Sequence, residues 1–150
     1  MKNYLLITTM LLSANLCMAQ KTDAVGCTDS PFFKRLPNTF IAECFKDSDE
    51  IEVTVYLDSS FIKAGIKTFI SYGYDPAKAK IAPTFGQIVK TYLSEAIKKG
   101  GKKMYYSPDE GKATLFFTSG DKEIWTLLDD GSGDGEGYYS LTIMESFKEE

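Results

Sequence analysis

Few residue types in this sequence could carry out catalysis. The 150 residues include no histidine, which excludes the Ser-His and Cys-His nucleophile systems and most transition-metal sites. The 21 aspartates and glutamates could supply a carboxylate pair of the kind that hydrolyses glycosidic bonds. No pair stands out, because the acids cluster at turns and at exposed strand positions. We therefore expect a protein without enzymatic activity.

A glycine-rich stretch resembles the opening of a calcium-binding loop. Residues 130–135 read Asp-Gly-Ser-Gly-Asp-Gly, which places oxygen-bearing side chains at the first, third and fifth positions of such a loop and a glycine at the sixth. The twelfth position of this frame is Leu141, where calcium loops require a bidentate glutamate. We interpret the stretch as a connection between strands, and we expect neither a metal nor a cofactor.

The first 19 residues have the features of a signal peptide. Lys2 is followed by an apolar region from Tyr4 to Leu16, and Ala19 provides the small residue that precedes a cleavage site. The apolar region is too short to span a membrane comfortably, and no second one follows. We expect export with cleavage after Ala19. The alternative is a lipoprotein anchored through Cys17, although the residues before this cysteine do not follow the usual order for lipidation.

Export also accounts for the cysteines and the charge. Removal of Cys17 leaves Cys27 and Cys44, and two cysteines in an exported chain most simply form a disulfide. A metal site is disfavoured, because the pair lacks CxxC spacing and the chain lacks histidine. Loss of Lys2 leaves 16 basic against 21 acidic residues, a formal charge of −5. An acidic chain without a basic run is not expected to bind nucleic acid.

Residues 84–101 carry the signals of an amphipathic helix. Thr84 and Gln87 have the spacing of a capping box, and Gly100 suits the left-handed conformation that ends a helix. The apolar residues in between recur with helical spacing; they are Phe85, Ile88, Val89, Tyr92, Leu93, Ala96 and Ile97. We predict one long helix over residues 84–100 that buries this side on a sheet.

Most of the remaining chain has the patterns of strands. Alternation of apolar and polar residues predicts two strands before the helix and four after it, near residues 51–57, 66–74, 103–107, 112–119, 123–129 and 138–147. Short connections in the second half indicate an antiparallel meander. Residues 20–50 contain turn residues and aromatic pairs, which predicts an irregular arm pinned by the disulfide. The expected fold is a single α+β domain over residues 20–150, with a core over 51–150 in the order ββαββββ.

The predicted strands have two different faces. One face is apolar, and we expect it to meet the helix; its residues are Val53, Val55, Ala113, Leu115, Phe117, Ile124, Leu128, Leu141 and Ile143. The other face combines threonines with aromatic residues and carries less charge than a solvent-exposed face would. We expect the arm to cover this second face. The alternative is a binding face formed by Tyr56, Phe116, Trp125, Tyr138 and Met144.

Several segments match a known sequence pattern. Residues 26–37 read GCTDSPFFKRLP, similar to G-C-K-D-H-P-L-F-x-R-M-P, and residues 92–102 read YLSEAIKKGGK, similar to N-Y-E-N-A-I-K-K-x-G-G-K. Shorter matches follow in the same order at residues 113–115, 122–125 and 139–145. In these segments the chain resembles the N-terminal accessory module found ahead of the OmpA-type domain in bacterial outer-membrane-associated proteins.

This resemblance implies a location in a Gram-negative cell envelope, a paired Cys27 and Cys44, and no catalytic activity. Ser30 stands where the module usually has histidine, and the sequence to Glu150 lacks the OmpA-type domain, so wall binding is not implied. We expect a non-enzymatic module, periplasmic, outer-membrane-associated or secreted, that contacts an envelope protein or a glycan. The alternatives are a small exported hydrolase that uses a carboxylate pair and a protease-inhibitor-like protein, although the inhibitory motif Q-x-V-x-G is absent from the sequence.

Overall fold

The fold consists of an antiparallel sheet with a helix on one face. The computed structural model describes residues 21–56, 59–78, 81–131 and 139–148, so the predicted signal peptide and Tyr138 lie outside the described residues. In chain order these ranges form β1 (Thr39–Tyr56), β2 (Ser59–Tyr74), α1 (Phe85–Lys98), β3 (Lys102–Ser107), β4 (Lys112–Ser119), β5 (Lys122–Asp130) and β6 (Tyr139–Phe147). The sheet order is β1-β2-β6-β5-β4-β3. The α+β prediction holds only in part, because strands dominate the described chain.

The helix begins and ends at its capping signals. Thr84 accepts a hydrogen bond from the Gln87 N–H, and the Gln87 side chain accepts one from the Thr84 N–H at 2.9 Å, which completes the capping box. At the other end Gly100 has a φ of 76°, and the N–H groups of Gly100 and Gly101 donate to the last-turn carbonyls of the helix. The helix has 14 residues, an ordinary length, so the predicted long helix over 84–100 is shorter than expected.

The helix buries most of its predicted apolar side on the sheet. Its buried residues are Phe85, Ile88, Val89, Tyr92 and Ala96. They pack against a set of buried strand residues: Ile41, Ile70, Tyr72, Ala113, Leu115, Phe117, Ile124, Leu128, Tyr139, Leu141 and Ile143. Ile97 was expected to be buried but is 57 % exposed. It lies about 120° around the helix axis from Phe85, at the margin of the apolar side.

Strand β1 begins earlier than the sequence indicated. The predicted irregular arm over 20–50 is wrong for residues 39–50, which form the first part of β1. Residues 46–50 pair with β2 between Ala64 and Thr68, yet they are all exposed. A two-stranded ribbon with solvent on both sides shows no alternation of apolar residues, and the sequence therefore resembled a polar loop.

The shorter arm, residues 21–38, is held by one arginine and by the disulfide. Arg35 forms a bidentate ion pair with Asp23, at 2.5 and 2.7 Å, and a second ion pair with Asp29 at 3.2 Å. The hydrogen bond from Arg35 is the largest reason that the pKa of Asp23 is lowered. Cys27 and Cys44 form the predicted disulfide, with their Cα atoms 5.7 Å apart. Closing this loop stabilises the fold by about 3 kcal/mol in the chain-entropy model.

Three buried tyrosines join the sheet, the helix and the arm. Tyr72 stacks on Tyr139 with ring centroids 5.0 Å apart, and the Tyr139 hydroxyl is hydrogen-bonded to that of Tyr92 at 2.9 Å. Tyr72 also donates to Asp29 of the arm at 3.4 Å. Burial raises the pKa of all three phenols, to about 12 for Tyr139.

We predict that alkali unfolds the protein before these phenols ionise. A phenol whose pKa is higher in the folded than in the unfolded chain stabilises the fold below the unfolded value of about 10. That stabilisation is lost as the pH rises from about 10 through the folded value. Phenolate absorbance and circular dichroism recorded together should show Tyr72, Tyr92 and Tyr139 ionising only with loss of structure.

A Tyr106→Phe variant is the matched control, because Tyr106 is 36 % exposed; it should unfold at the same pH as the wild type. Ionisation of every phenol while the circular dichroism stays unchanged would contradict the buried cluster.

Candidate functional site

The face opposite the helix carries a second hydrophobic cluster. Its buried residues are Ile51, Val53, Val55, Trp125 and Met144, and Phe61, Met104, Phe116 and Leu127 surround them. Val53 and Val55 were expected to meet the helix, and that expectation is wrong. The register explains their position, because Val53 lies opposite Phe61 in the ribbon, and residues directly opposite each other share a face.

The ribbon formed by β1 and β2 folds over this second face. The end of β1 contacts β3 and β4, although β1 and β3 lie at opposite edges of the sheet. The ribbon leaves the sheet at Gly65, since β2 pairs with β6 only from Ile66 to Tyr72. A Cβ atom at Gly65 would lie 2.2 Å from the Glu145 carbonyl oxygen and 2.9 Å from the Met144 sulfur. A glycine is therefore required where the ribbon crosses β6.

The structure therefore does not form the predicted binding face as an exposed surface. Trp125 is 6 % exposed and Met144 is fully buried, while Phe116 is half-buried. Tyr56, at the end of the ribbon, is 69 % exposed. Tyr138 lies outside the described residues.

The expectation that the arm covers this face is also wrong, because the cover is β1 itself. The arm lies on the helix side, where the Phe33 ring contacts Tyr92 and Phe117 at centroid distances of 5.4 and 5.7 Å.

Charged residues beside Trp125 are engaged in structural contacts. Glu123 accepts hydrogen bonds from the Trp125 indole at 3.2 Å and pairs with Lys63 at 3.0 Å. Partial burial alone would raise the pKa of Glu123, but the hydrogen bonds from Lys63 and Trp125 outweigh it and lower the pKa. A carboxylate held ionised in this way is a hydrogen-bond acceptor and not a proton donor.

The edge of β1 is open over residues 43–50. The arm reaches the edge at Ile41, whose carbonyl accepts a hydrogen bond from the Ala24 N–H at 2.8 Å. Within the described residues, β1 pairs only with β2. Except for the half-buried Cys44, every residue from 43 to 50 is exposed. The side chains along this edge are Glu43, Phe45, Lys46, Asp47, Ser48, Asp49 and Glu50.

This open edge is fixed at both ends. Cys44 ties its start to the arm through the disulfide, and Ile51 anchors its end in the second cluster. Between them the Phe45 ring stacks on Phe69 with centroids 4.8 Å apart, and Lys67 pairs with Asp49. These contacts hold the segment in an extended conformation, although most of its side chains contact solvent.

Among the described residues, no group of three or more Cys, Asp or Glu side chains is arranged to hold a metal ion. Most of the calcium-like stretch lies outside those residues. Leu141, at the position where a calcium loop needs glutamate, is fully buried in the helix-side core. Throughout the residues that the structure describes, no helix combines the length and apolar character needed to cross a membrane.

No protein-family model matches this sequence, and no curated protein matches it significantly. What the protein does is therefore inferred from its residues and their geometry.

We predict opposite results for two members of the predicted binding face. Trp125→Ala should lower the free energy of unfolding by about 3–5 kcal/mol, because it leaves a cavity in the second cluster. Tyr56→Ala should change it by less than about 0.5 kcal/mol, because this side chain is exposed. Urea denaturation of both variants measures the difference. Equal stability of the Trp125→Ala variant and the wild type would contradict the covered face.

Proposed function

We propose that this protein is a non-enzymatic, exported module of the bacterial cell envelope that binds a partner protein by strand addition at the open edge of β1. The observation that carries the proposal is the edge at residues 43–50, which is extended, exposed and paired only with β2 among the described residues. An edge strand presents a row of unpaired N–H and C=O groups, with which an extended peptide can pair.

The fixed ends of the edge favour this use. When a partner strand pairs with a template that is already ordered, only the partner strand loses conformational entropy. Preorganisation of this kind raises affinity. The disulfide at Cys44 and the buried Ile51 provide this order. The main-chain hydrogen bonds would supply affinity, and the exposed Phe45 and the acidic side chains would supply selectivity.

The charged residues on the edge could also serve only to prevent unwanted strand pairing. Natural proteins place charged residues on edge strands to prevent unwanted pairing, and β1 carries Asp47, Asp49 and Glu50 in this segment. Short length, bulges and proline serve the same end. Here the edge is long, and its register is regular from Glu43 to Thr54. The acidic residues on this edge would repel an acidic strand but attract a basic one. They therefore select among partner strands and do not exclude all of them.

Three features support the envelope location. The N-terminal residues have the pattern of a signal peptide, Cys27 and Cys44 form a disulfide, and the sequence resembles the accessory module of OmpA-type proteins over roughly residues 26–146. Structural disulfides persist in the periplasm and outside the cell, and they are rare in the reducing cytosol.

We predict processing after Ala19. Expressed in a Gram-negative host, the protein should be recovered from the periplasm with Gln20 as its first residue and with the Cys27–Cys44 disulfide formed. Intact-mass spectrometry before and after reduction measures both. An Ala19→Tyr variant should remain unprocessed, because the cleavage site requires a small residue. A mature chain that begins with a lipid-modified Cys17 would contradict this cleavage.

We predict that a proline on the open edge abolishes partner binding. In an antiparallel pair, the N–H groups of successive residues point alternately toward and away from the neighbouring strand. One of the variants Lys46→Pro and Asp47→Pro therefore removes an outward N–H, while the other breaks the pairing with β2. The variant that keeps the wild-type circular dichroism identifies the outward position. It should capture no partner from an envelope extract that the wild type captures.

Lys46→Ala and Asp47→Ala are the matched controls, because they change the same side chains and keep the N–H groups. Both should bind the partner. Strand addition is wrong if the folded proline variant captures the same protein as the wild type, or if the wild type captures none.

A further inference from the structure

A small polar cleft lies between the end of the ribbon and the strands beneath it. It encloses about 210 Å³, less than the roughly 300–1,000 Å³ of pockets for drug-sized ligands. The residues that line it come from β1, β3, β4 and β5. Those with polar side chains are Glu52, Thr54, Tyr105, Lys112, Thr114 and Asp129, and the others are Ala113, Leu127 and Leu128. The cleft exists because β1 crosses to the far edge of the sheet without hydrogen-bonding to β3.

The register aligns the groups from β3, β4 and β5 in two rows on the face away from the helix. Tyr105 lies opposite Thr114, and Thr114 lies opposite Leu127. In the next row Lys112 lies opposite Asp129. The first row presents a ring, a hydroxyl and an aliphatic side chain. The second row presents an ammonium and a carboxylate.

Asp129 is half-buried, and Lys112 lies opposite it in register. Neither its carboxylate nor the Lys112 ammonium forms a side-chain hydrogen bond or an ion pair with the described residues. Burial raises the pKa of Asp129, and the charge of Lys112 opposes that rise only in part. Because Asp129 lines the cleft and is not fully buried, a ligand in the cleft can donate hydrogen bonds to its carboxylate.

The mixture of groups selects the class of ligand. An anion would meet the carboxylates of Glu52 and Asp129, and an organic cation would meet Lys112. A neutral polyol satisfies both kinds of group, because each hydroxyl donates to a carboxylate and accepts from an ammonium. Tyr105 and Leu127 offer apolar surface to the C–H face of a ring. Glu52 also accepts a hydrogen bond from Ser60, which orients its carboxylate.

We propose that this cleft binds a single neutral sugar ring, with Asp129, Glu52 and Lys112 hydrogen-bonding its hydroxyls and Tyr105 lying against its C–H face. This site goes beyond strand addition at β1, and it uses different residues. The purified protein tests it without any protein partner, so failure at one site is distinguishable from failure at the other.

The experiment is a titration of the isotope-labelled mature protein followed by amide chemical shifts. The probes are the methyl α- and β-glycosides of glucose, galactose and mannose, together with ethylammonium and inorganic phosphate. At least one glycoside should shift the amides of Thr114 and Asp129, with a Kd of about 1 mM. The two charged probes should shift them less.

Asp129→Asn keeps the shape of the side chain and removes its charge. It should weaken the binding of that glycoside about tenfold or more, because hydrogen bonds to charged groups are the stronger ones. Asp121→Asn, at an exposed turn, is the matched control and should bind as the wild type does. The proposal is overturned if no glycoside shifts these amides at about ten times the expected Kd, if a charged probe binds the cleft more tightly, or if Asp129→Asn binds unchanged.

Discussion

One helix can cover only one face of a six-stranded sheet, and the second face also has to be shielded from water. This protein meets that constraint by extending two of its own strands. The β1–β2 ribbon continues past the sheet, crosses β6 at Gly65 and places Ile51, Val53 and Val55 over Trp125 and Met144. The mixed composition of this face follows from that arrangement, because its aromatic residues pack against a strand rather than against solvent.

The same arrangement defines where the molecule can bind. A strand that covers a face leaves its own outer edge unpaired, so β1 shields the sheet and presents an open edge at residues 43–50. Because the covering strand approaches β3 without joining it, a polar cleft remains between the two edges of the sheet. The binding sites proposed for a peptide strand and for a sugar ring are both consequences of how the second face is covered.

Local signals made part of this structure predictable. The capping box of Thr84 and Gln87, the left-handed Gly100 and the helical spacing of apolar residues located α1 within two residues at each end. Alternation located β4, β5 and β6 equally well. Residues 46–50 gave no such signal, because a ribbon exposed on both sides has no buried face. The cover of Trp125 could not be predicted either, since it depends on pairing between β2 and β6, which are distant in sequence. A strand face made of threonines and aromatic residues gives the same sequence pattern whether it binds a partner or is covered by another strand of the same chain.

Strands β1 and β2 continue past Gly65, but the residues on its two sides belong to different hydrophobic clusters. On one side of it the strands pack with the helix and the arm; on the other, a two-stranded ribbon is held mainly by five buried side chains. Regions with few buried contacts open at a lower free energy than the rest of a protein. The second cluster has fewer buried residues than the helix-side core, so separating the ribbon from Trp125 is expected to cost less free energy than separating the helix from the sheet.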